Sequence, residues 1–550
     1  MFVKNYVTIL KNEFSGYNGK KFGQDLMAGI TVAAVALPLA LAFGVSSGAS
    51  AAAGLVTAIL AGLVIGGFSG ASYQISGPTG AMTAILLGLV AQHGMQGVFV
   101  ASFLAGVFLL VAGIFKFGAI VSFLPMPVIT GFTSGIAVII AFGQINNLTE
   151  MTCEGLTTIE KLQSYFVLEQ NFNMPTFLIG LAVIIFMFLY PAKLGKYCPG
   201  SLVAIILSTA IVAALGVETP LVGEIPKTLF LDTRLDITQI SMSSLGNFVS
   251  PAISIAALGL IESLLCGSSA GRMKSEKMDA DVELIAQGIG NMLIPLFGGV
   301  PATAAIARTS VAIKSGGQTR LVSVFHAVVL LASMFLLGDI MSMIPLSALA
   351  GVLIVTAWRM NEWHAIKSIF RRRLKTPIAQ FLITMVATVI FDLTVAILVG
   401  LVFSIVMFMI KVSNMQVTVS KVDPSRLDTT RVNPAMLENT CVVYMIGPLY
   451  FGTSARIESM MMELEQYDNI IFSMRGVNIA DLSGVEAFKE SCDKMLEDGK
   501  QVYFAAVNDG VRTTFKRCGF EEGTGITRFF WSADKVFEYI SEATSVHRMR

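Results

Sequence analysis

The chain has 550 residues, of which 54% are hydrophobic and 14% charged, with a net charge of +1 and a mean hydropathy of +0.72. Soluble domains are nearer a quarter charged, so a soluble enzyme, a disordered chain and a secreted disulfide scaffold are excluded as descriptions of the whole. The near-zero charge argues against a nucleic-acid partner, and six scattered cysteines without a CxxC pair indicate neither a disulfide framework nor a zinc site.

Residues 1–24 read as a short cytoplasmic segment with an interfacial helix. Lys20 and Lys21 precede the first apolar run, and no small-residue cleavage pattern follows it. From Asp25 to Ile410 apolar stretches alternate with short polar loops. A crossing takes about 20 apolar residues. Spans are predicted at 25–44, 50–68, 77–91, 97–115, 120–145, 175–191, 199–217, 248–268, 281–297, 301–314, 321–338, 343–358, 377–391 and 394–411, fourteen in all, some too short to cross alone. With the N-terminus inside, the inner loops hold Lys193, Lys196, Arg272, Lys274, Lys277, Lys314, Arg320 and Arg371 to Arg373. The outer loops hold only Lys161, Lys227 and Arg234, so both ends of the chain are expected in the cytoplasm of a bacterial inner membrane protein.

The membrane part repeats. Ser76-Gly77-Pro78-Thr79-Gly80-Ala81 resembles Gly299-Val300-Pro301-Ala302-Thr303-Ala304, which sets Pro78 against Pro301. Leu124-Pro125 with Gly131 parallels Ile344-Pro345 with Gly351 at nearly the same offset. Two matches at nearly one offset predict seven spans plus seven, and an odd number inverts the second half. Paired Gly/Pro-interrupted short segments mark a transporter binding site. Proline suits the first turn of a helix, so a half-helix is predicted to start after Pro78 and another after Pro301. Their positive ends would face each other as an anion cradle.

Two ionisable residues stand out inside the membrane part, Glu262 and Arg308. A charge near the bilayer centre costs about 2.5–3.5 kcal/mol on insertion scales, so each needs a partner or a wet cavity. Arg308, predicted two turns into its half-helix, can fork onto carboxylate or sulfate oxygens. Glu262 follows Leu39 by the same offset that separates Pro78 from Pro301, which places it beside the cradle. Three readings stand: Glu262 carries a proton, holds a sodium ion with backbone carbonyls, or only bridges Arg308 to tie spans 8 and 10 together. Phe43 is spaced to reach the cradle from span 1. Gln287 and Asn291 read as interhelical hydrogen bonds, His93 and His326 lack companions at metal spacing, and Asp392 reads as a solvated loop residue.

From Lys411 the chain reads as soluble, so 25–411 is assigned to the transport domain and 412–550 to a linker and soluble domain. Strands are predicted at 441–446, 469–474 and 501–507, with a turn or second strand at 447–452. Helices are predicted at 454–466, 482–498, 509–518 and 532–542, giving a layered βα structure. No Walker or G-x-G-x-x-G loop is present. Ser483, in Asp481-Leu482-Ser483-Gly484, reads as an N-cap or a phosphorylation site.

These motifs together resemble the SulP anion transporters, the solute carrier 26 family. The residues that carry the likeness are S-G-P-T-G at 76–80, I-E-S-L-L at 261–265, Q-G-I-G-N at 287–291 and A-T-A-A-I-A-R-T at 302–309. The tail resembles a STAS domain, through Ile446-Gly447-Pro448-Leu449-Tyr450-Phe451 and D-x-S-G at 481–484. The resemblance implies an α-helical polytopic protein with fourteen spans in a seven-plus-seven inverted repeat. Spans 1–4 and 8–11 would form a core and spans 5–7 and 12–14 a gate, with a cytoplasmic α/β STAS domain appended. It further implies elevator-like transport in a homodimer, no enzymatic activity and no bound cofactor. The family's substrate site maps onto Phe43, Thr79, Gly80, Ala81, Ala304, Ala305 and Arg308. Ser483 matches the phosphorylated serine of anti-sigma-factor antagonists, which use it toward a cytoplasmic protein partner. The I-E-S-L-L-C and A-T-A-A-I-A-R segments look most like bacterial C4-dicarboxylate members. Proton-coupled C4-dicarboxylate symport is therefore the expectation, with sulfate or bicarbonate, sodium coupling, and an anion sensor signalling through its tail as the rivals. Pro38-Leu39 departs from the Pro-Glu or Pro-Gln of many relatives, which leaves Glu262 as the main acidic group at the site.

Overall fold

A computed structural model describes residues 2–119, 125–152, 158–167, 172–191, 194–196, 198–236, 245–391, 393–412, 415–423, 425, 427, 431–520 and 528–547. Leu124, Lys193 and Asp392 lie outside the described residues. The chain forms two compact units, Met1–Ser404 and Ile405–Arg550.

The helices run, in chain order, α1 (Phe2–Glu13), α2 (Gly19–Ser46), α3 (Ala51–Phe68), α4 (Gly80–Ile114), α5 (Met126–Gly143), α6 (Thr158–Val167), α7 (Met174–Leu189), α8 (Gly200–Leu215), α9 (Leu245–Lys274), α10 (Ala280–Leu293), α11 (Ile306–Lys314), α12 (Leu321–Met341), α13 (Leu346–Met360), α14 (Trp363–Arg371), α15 (Lys375–Ile390) and α16 (Leu393–Val412). Among the described residues, seven are long and apolar enough to cross a bilayer: α2, α3, α4, α5 with its continuation to Thr149, α9, α12 and α16.

Each predicted span overlaps a helix. Spans 3 and 4 share α4, which breaks at Gly94 with a φ of 65°. Met82 and Leu109 lie 3.8 and 3.4 Å from where a Cβ on Gly259 would stand. A straight helix would separate the two by about 40 Å. The chain therefore folds back at Gly94, and the first part of α4 is a half-helix.

The amphipathic α1 was foreseen, but its lock was not. Arg320, expected as a solvated inner-loop charge, is buried. It pairs with Glu13 at 2.7 Å, donates to the carbonyls of Gly67 and Ser69 and lies 5.2 Å from the Tyr6 ring centroid. The loop fixes the cation in place because its own carbonyls need donors.

Two short strands, β1 (Ser76–Gly77) and β2 (Thr303–Ala304), pair antiparallel, Ser76 against Ala304 and Gly77 against Thr303. They join the two halves of the repeat directly.

The second unit holds a sheet in the order β3 (Gln416–Lys421), β4 (Thr440–Ile446), β5 (Asn469–Gly476), β6 (Gln501–Ala505), β7 (Phe529–Phe530). Strand β3 is antiparallel to β4, and the other neighbours are parallel. Alternation along β5 splits its side chains between two cores. Ile470, Phe472 and Met474 join one, and Ile471 joins the other with Val536, Phe537 and Ile540. Helices α17 (Ser454–Leu464), α18 (Leu482–Glu497), α19 (Asp509–Arg517) and α20 (Ala533–His547) match the predicted four. Residues 416–421, where no strand was predicted, form an edge strand whose Val417 and Val419 alternate with polar neighbours. Of the turn or second strand expected at 447–452, the turn forms: the chain turns at Gly447 with a φ of 121° and enters a short 3₁₀ turn at Phe451–Thr453.

Candidate functional site

The cradle is built by an extended segment whose amides are spoken for one by one. The Val300 amide donates to Thr57 Oγ1 at 2.8 Å. Pro301 has none. Asn291 accepts from the Ala302 amide at 2.8 Å and donates to its carbonyl at 2.9 Å. The Ala304 amide donates to Ser263 Oγ at 3.3 Å, and the Ala305 amide to the Ile75 carbonyl at 2.9 Å. With its donors taken sideways, the segment stays extended and α11 starts only at Ile306, well beyond Pro301. Helix α4 starts at Gly80, closer to Pro78. The predicted starts at the prolines are thus corrected, and Arg308 stands at the third helical position rather than two turns in.

Each helix leaves its first-turn amides without intrahelical partners. The first intrahelical bonds are Thr83 N to Thr79 O at 3.2 Å and Thr309 N to Ala305 O at 2.9 Å. The groups that face outward are therefore the amides of Gly80, Ala81 and Met82 on one side and of Ile306, Ala307 and Arg308 on the other. Ala304 and Ala305 sit where expected, but their own amides are engaged and are no donors to a ligand.

Arg308 is 1% exposed. Its Nη2 donates to the Pro78 carbonyl at 2.7 Å, which ties the second half-helix to the turn before the first. The guanidinium lies against Gly77: a Cβ there would be 2.5 Å from Nη1. Nε and Nη1 have no hydrogen-bond partner among the described residues.

Glu262, on α9, turns the other way. Its Oε2 accepts from Thr79 Oγ1 at 2.9 Å and from Thr303 Oγ1 at 2.8 Å. Among the described residues no ion pair joins Glu262 to Arg308, so of the three readings the tie between spans 8 and 10 does not form; Arg308 bonds a backbone carbonyl and Glu262 two threonine hydroxyls. Phe43 closes one wall, its Cε1 3.1 Å from the place of a Cβ on Gly80. Phe43, Thr79, Gly80, Ala81, Ala304, Ala305, Arg308 and Glu262 thus converge on one locality. Thr303, Ser263 and Gly77 were missed as functional residues, although Thr303 and Gly77 lie inside the repeated motifs.

Residues 22–387 match the model of the sulfate permease family, and residues 431–540 match the STAS domain. The chain belongs to the sulfate permease family. Within this family it is 33% identical over 545 residues to the putative sulfate transporter YvdB of Bacillus subtilis (strain 168), covering 95% of this chain and 98% of that one. It is 29% identical over 514 residues to the bicarbonate transporter BicA of Picosynechococcus sp., covering 90% of each. The fold matches murine Slc26a9 with a TM-score of 0.81 at 17% identity, over 94% of this chain and 91% of that one. This sulfate permease family member is therefore a membrane anion transporter with a STAS tail, and its relatives are transporters rather than enzymes.

The weaker candidates resolve as packing in this permease. Gln287 donates to Ser76 Oγ at 3.0 Å and to Glu283 Oε1 at 2.9 Å. Asn291 holds the Ala302 peptide, as above. His93 packs edge-on against Phe248, and His326 is buried; no group of three metal ligands exists among the described residues. Ser483 is exposed in the first turn of α18. It is not the N-cap: Asp481 is, accepting from the Gly484 amide at 2.7 Å, so the helix starts at Leu482 and Ser483 is already its second residue.

Proposed function

We propose that the chain is a secondary active transporter of a small single-headed oxyanion such as sulfate or bicarbonate. The anion lies between the first turns of α4 and α11, anchored by Arg308, and Glu262 carries the coupled proton. One observation carries this reading. A buried guanidinium sits at the N-terminal end of a half-helix with Nε and Nη1 unpartnered among the described residues. A cation is unfavourable at the positive end of a helix, and buried donors without partners cost about 1–3 kcal/mol each. An oxyanion relieves both.

The choice of anion follows from charge. Among the described residues Arg308 is the one cation brought to the cradle, whose other walls are Phe43, Gly80 and Ala81. A single oxyanion head is matched by it; the second carboxylate of a C4-dicarboxylate would be desolvated without a partner. The names of YvdB and BicA point the same way. The hydroxyls of Thr79 and Thr303 both donate to Oε2 of Glu262, leaving Oε1 to take the proton. An anion on Arg308 repels an ionised Glu262, so anion and proton load together. The family likeness adds a homodimer, elevator-like motion, and a cytoplasmic STAS tail that meets a protein partner near Ser483.

The test is uptake by the purified protein in proteoliposomes, with labelled sulfate, bicarbonate and fumarate offered under separate proton and sodium gradients. Sulfate or bicarbonate should accumulate on the proton gradient. Preferred fumarate accumulation would establish the dicarboxylate reading, and dependence on sodium at fixed pH would replace the proton. Binding without accumulation would make the protein a sensor.

A further inference from the structure

Beyond the cradle, along α4, lies a cavity of about 90 Å³ between α2, α4, α5 and α6. Its walls include Ser46 at the end of α2, Thr83 and Leu87 of α4, Gln144 just past α5, and Tyr165 of α6. Thr83 is one turn from Gly80, and its hydroxyl donates to the Gly80 carbonyl at 2.6 Å. The cavity therefore begins where the cradle ends.

One side chain stands at the junction. Ile140 of α5 lines the cavity and is 4% exposed. Its Cδ1 fills the place where a Cβ on Gly80 would stand, and the Phe43 ring closes on the same spot from α2 at 3.1 Å. The glycine at the start of α4 makes room for this isoleucine. One turn further on, Gln144 and Ser46 bond across the two helices, Gln144 Nε2 donating to Ser46 Oγ at 3.1 Å.

Resting on the transport reading, we propose that Ile140 is the plug between this cavity and the anion cradle. The Ser46–Gln144 contact is the latch that holds α2 against α5 while the plug is in. An apolar constriction bars an ion because the ion cannot shed its water there. Withdrawing one isoleucine opens the way without unmaking the cradle, whose hydrogen bonds run between α3, α4, α9, α10 and α11 and leave α5 out. The latch is a pair of neutral hydrogen bonds, the second from Ser46 Oγ to Gln144 Oε1 at 3.4 Å, and is suited to being broken in each cycle.

The experiment uses the full-length protein in proteoliposomes with sulfate, bicarbonate and fumarate as probes. It reads equilibrium binding in detergent, gradient-driven uptake, and passive efflux of preloaded anion without a driving gradient. Ile140→Ala should bind as wild type does but raise passive efflux severalfold and lower net accumulation. Ile140→Phe should bind and lose uptake. A residue that merely packs would change stability without changing efflux. Should either variant fail to fold, Ile140→Val, one methyl smaller, carries the same test with a smaller rise in efflux. Wild-type efflux in the Ala and Val variants, or normal uptake by the Phe variant, overturns the plug and leaves the transport reading standing. A wild-type chain that moves none of the three anions overturns both.

Discussion

The two half-helix starts are alike in backbone and unlike in chemistry. Strands β1 and β2 begin at Ser76 and Thr303, and the helices after them begin at Gly80 and Ile306, so each half spends nearly the same length of chain between strand and helix. Each opens with three amides that have no intrahelical partner. Yet both ionisable groups, Glu262 and Arg308, come from the second half. The first half supplies what holds them: the Pro78 carbonyl and bare Gly77 for Arg308, the Thr79 hydroxyl for Glu262. A near-symmetric backbone thus carries an asymmetric chemistry, with the one cation and the one carboxylate both drawn from the second half; under the proposed function the first would anchor the anion and the second couple it.

The largest effect should come from removing the charge that breaks the symmetry. Arg308→Ala should abolish anion binding in a protein that still folds, measured by calorimetry in detergent. Charged hydrogen bonds contribute about 1.5–3 kcal/mol each, so losing two or more weakens binding by about a hundredfold or more. Arg308→Lys should fail largely as well, since a point charge does not reproduce the fork. Near-normal binding by the Ala variant would show that the amides of the two half-helices suffice, and that the symmetric scaffold alone is the site.

Next is Glu262→Gln, which keeps shape and removes the proton carrier. It should bind the anion and exchange it across the membrane, but should not accumulate it on a proton gradient. Accumulation by this variant would rule out the coupling role. Lost stability with coupling intact would mark the carboxylate as structural.

Much of this was legible from residues 76–80 and 302–309, because Gly/Pro-interrupted short segments recurring at one offset in the two halves mark paired broken helices. The helix starts were not legible. The motif sets Pro78 against Pro301, whereas the backbone sets Ser76 against Thr303 and Gly80 against Ile306, a longer offset. The difference is the extra extended length that Asn291, Ser263 and Thr57 hold open from other helices. Long-range side-chain bonds leave no local periodicity to read. The same blindness hid the Glu13–Arg320 pair, two charges 307 residues apart that each look solvated in their own loop.

A smaller effect separates the two threonines. Thr79→Val and Thr303→Val each delete one hydroxyl donor to Glu262 Oε2, from opposite halves of the repeat. Bonds of 2.9 and 2.8 Å predict equal losses of proton-driven uptake, about ten- to a hundredfold at about 1.5–3 kcal/mol each. Anion affinity should change little. A large loss in one variant only would mean that the halves share the carboxylate unequally.

The smallest effect on the cradle should come from removing the tail. The hydrogen bonds that hold Arg308, Glu262 and the extended segment between them run among residues from Thr57 to Thr309, all within the first unit. The cut must fall before β3, at residue 413: that strand belongs to the tail's sheet, and left behind it would offer an unpaired edge to other chains. A chain ending at 412 should bind the anion with unchanged affinity in detergent. Its assembly, thermal stability or transport rate should differ, since a domain that carries no part of the site can act only on how the membrane part associates and moves. A many-fold loss of affinity in a monodisperse, folded truncation would make the tail part of the binding machinery, and the two half-helices would no longer be the whole of the site.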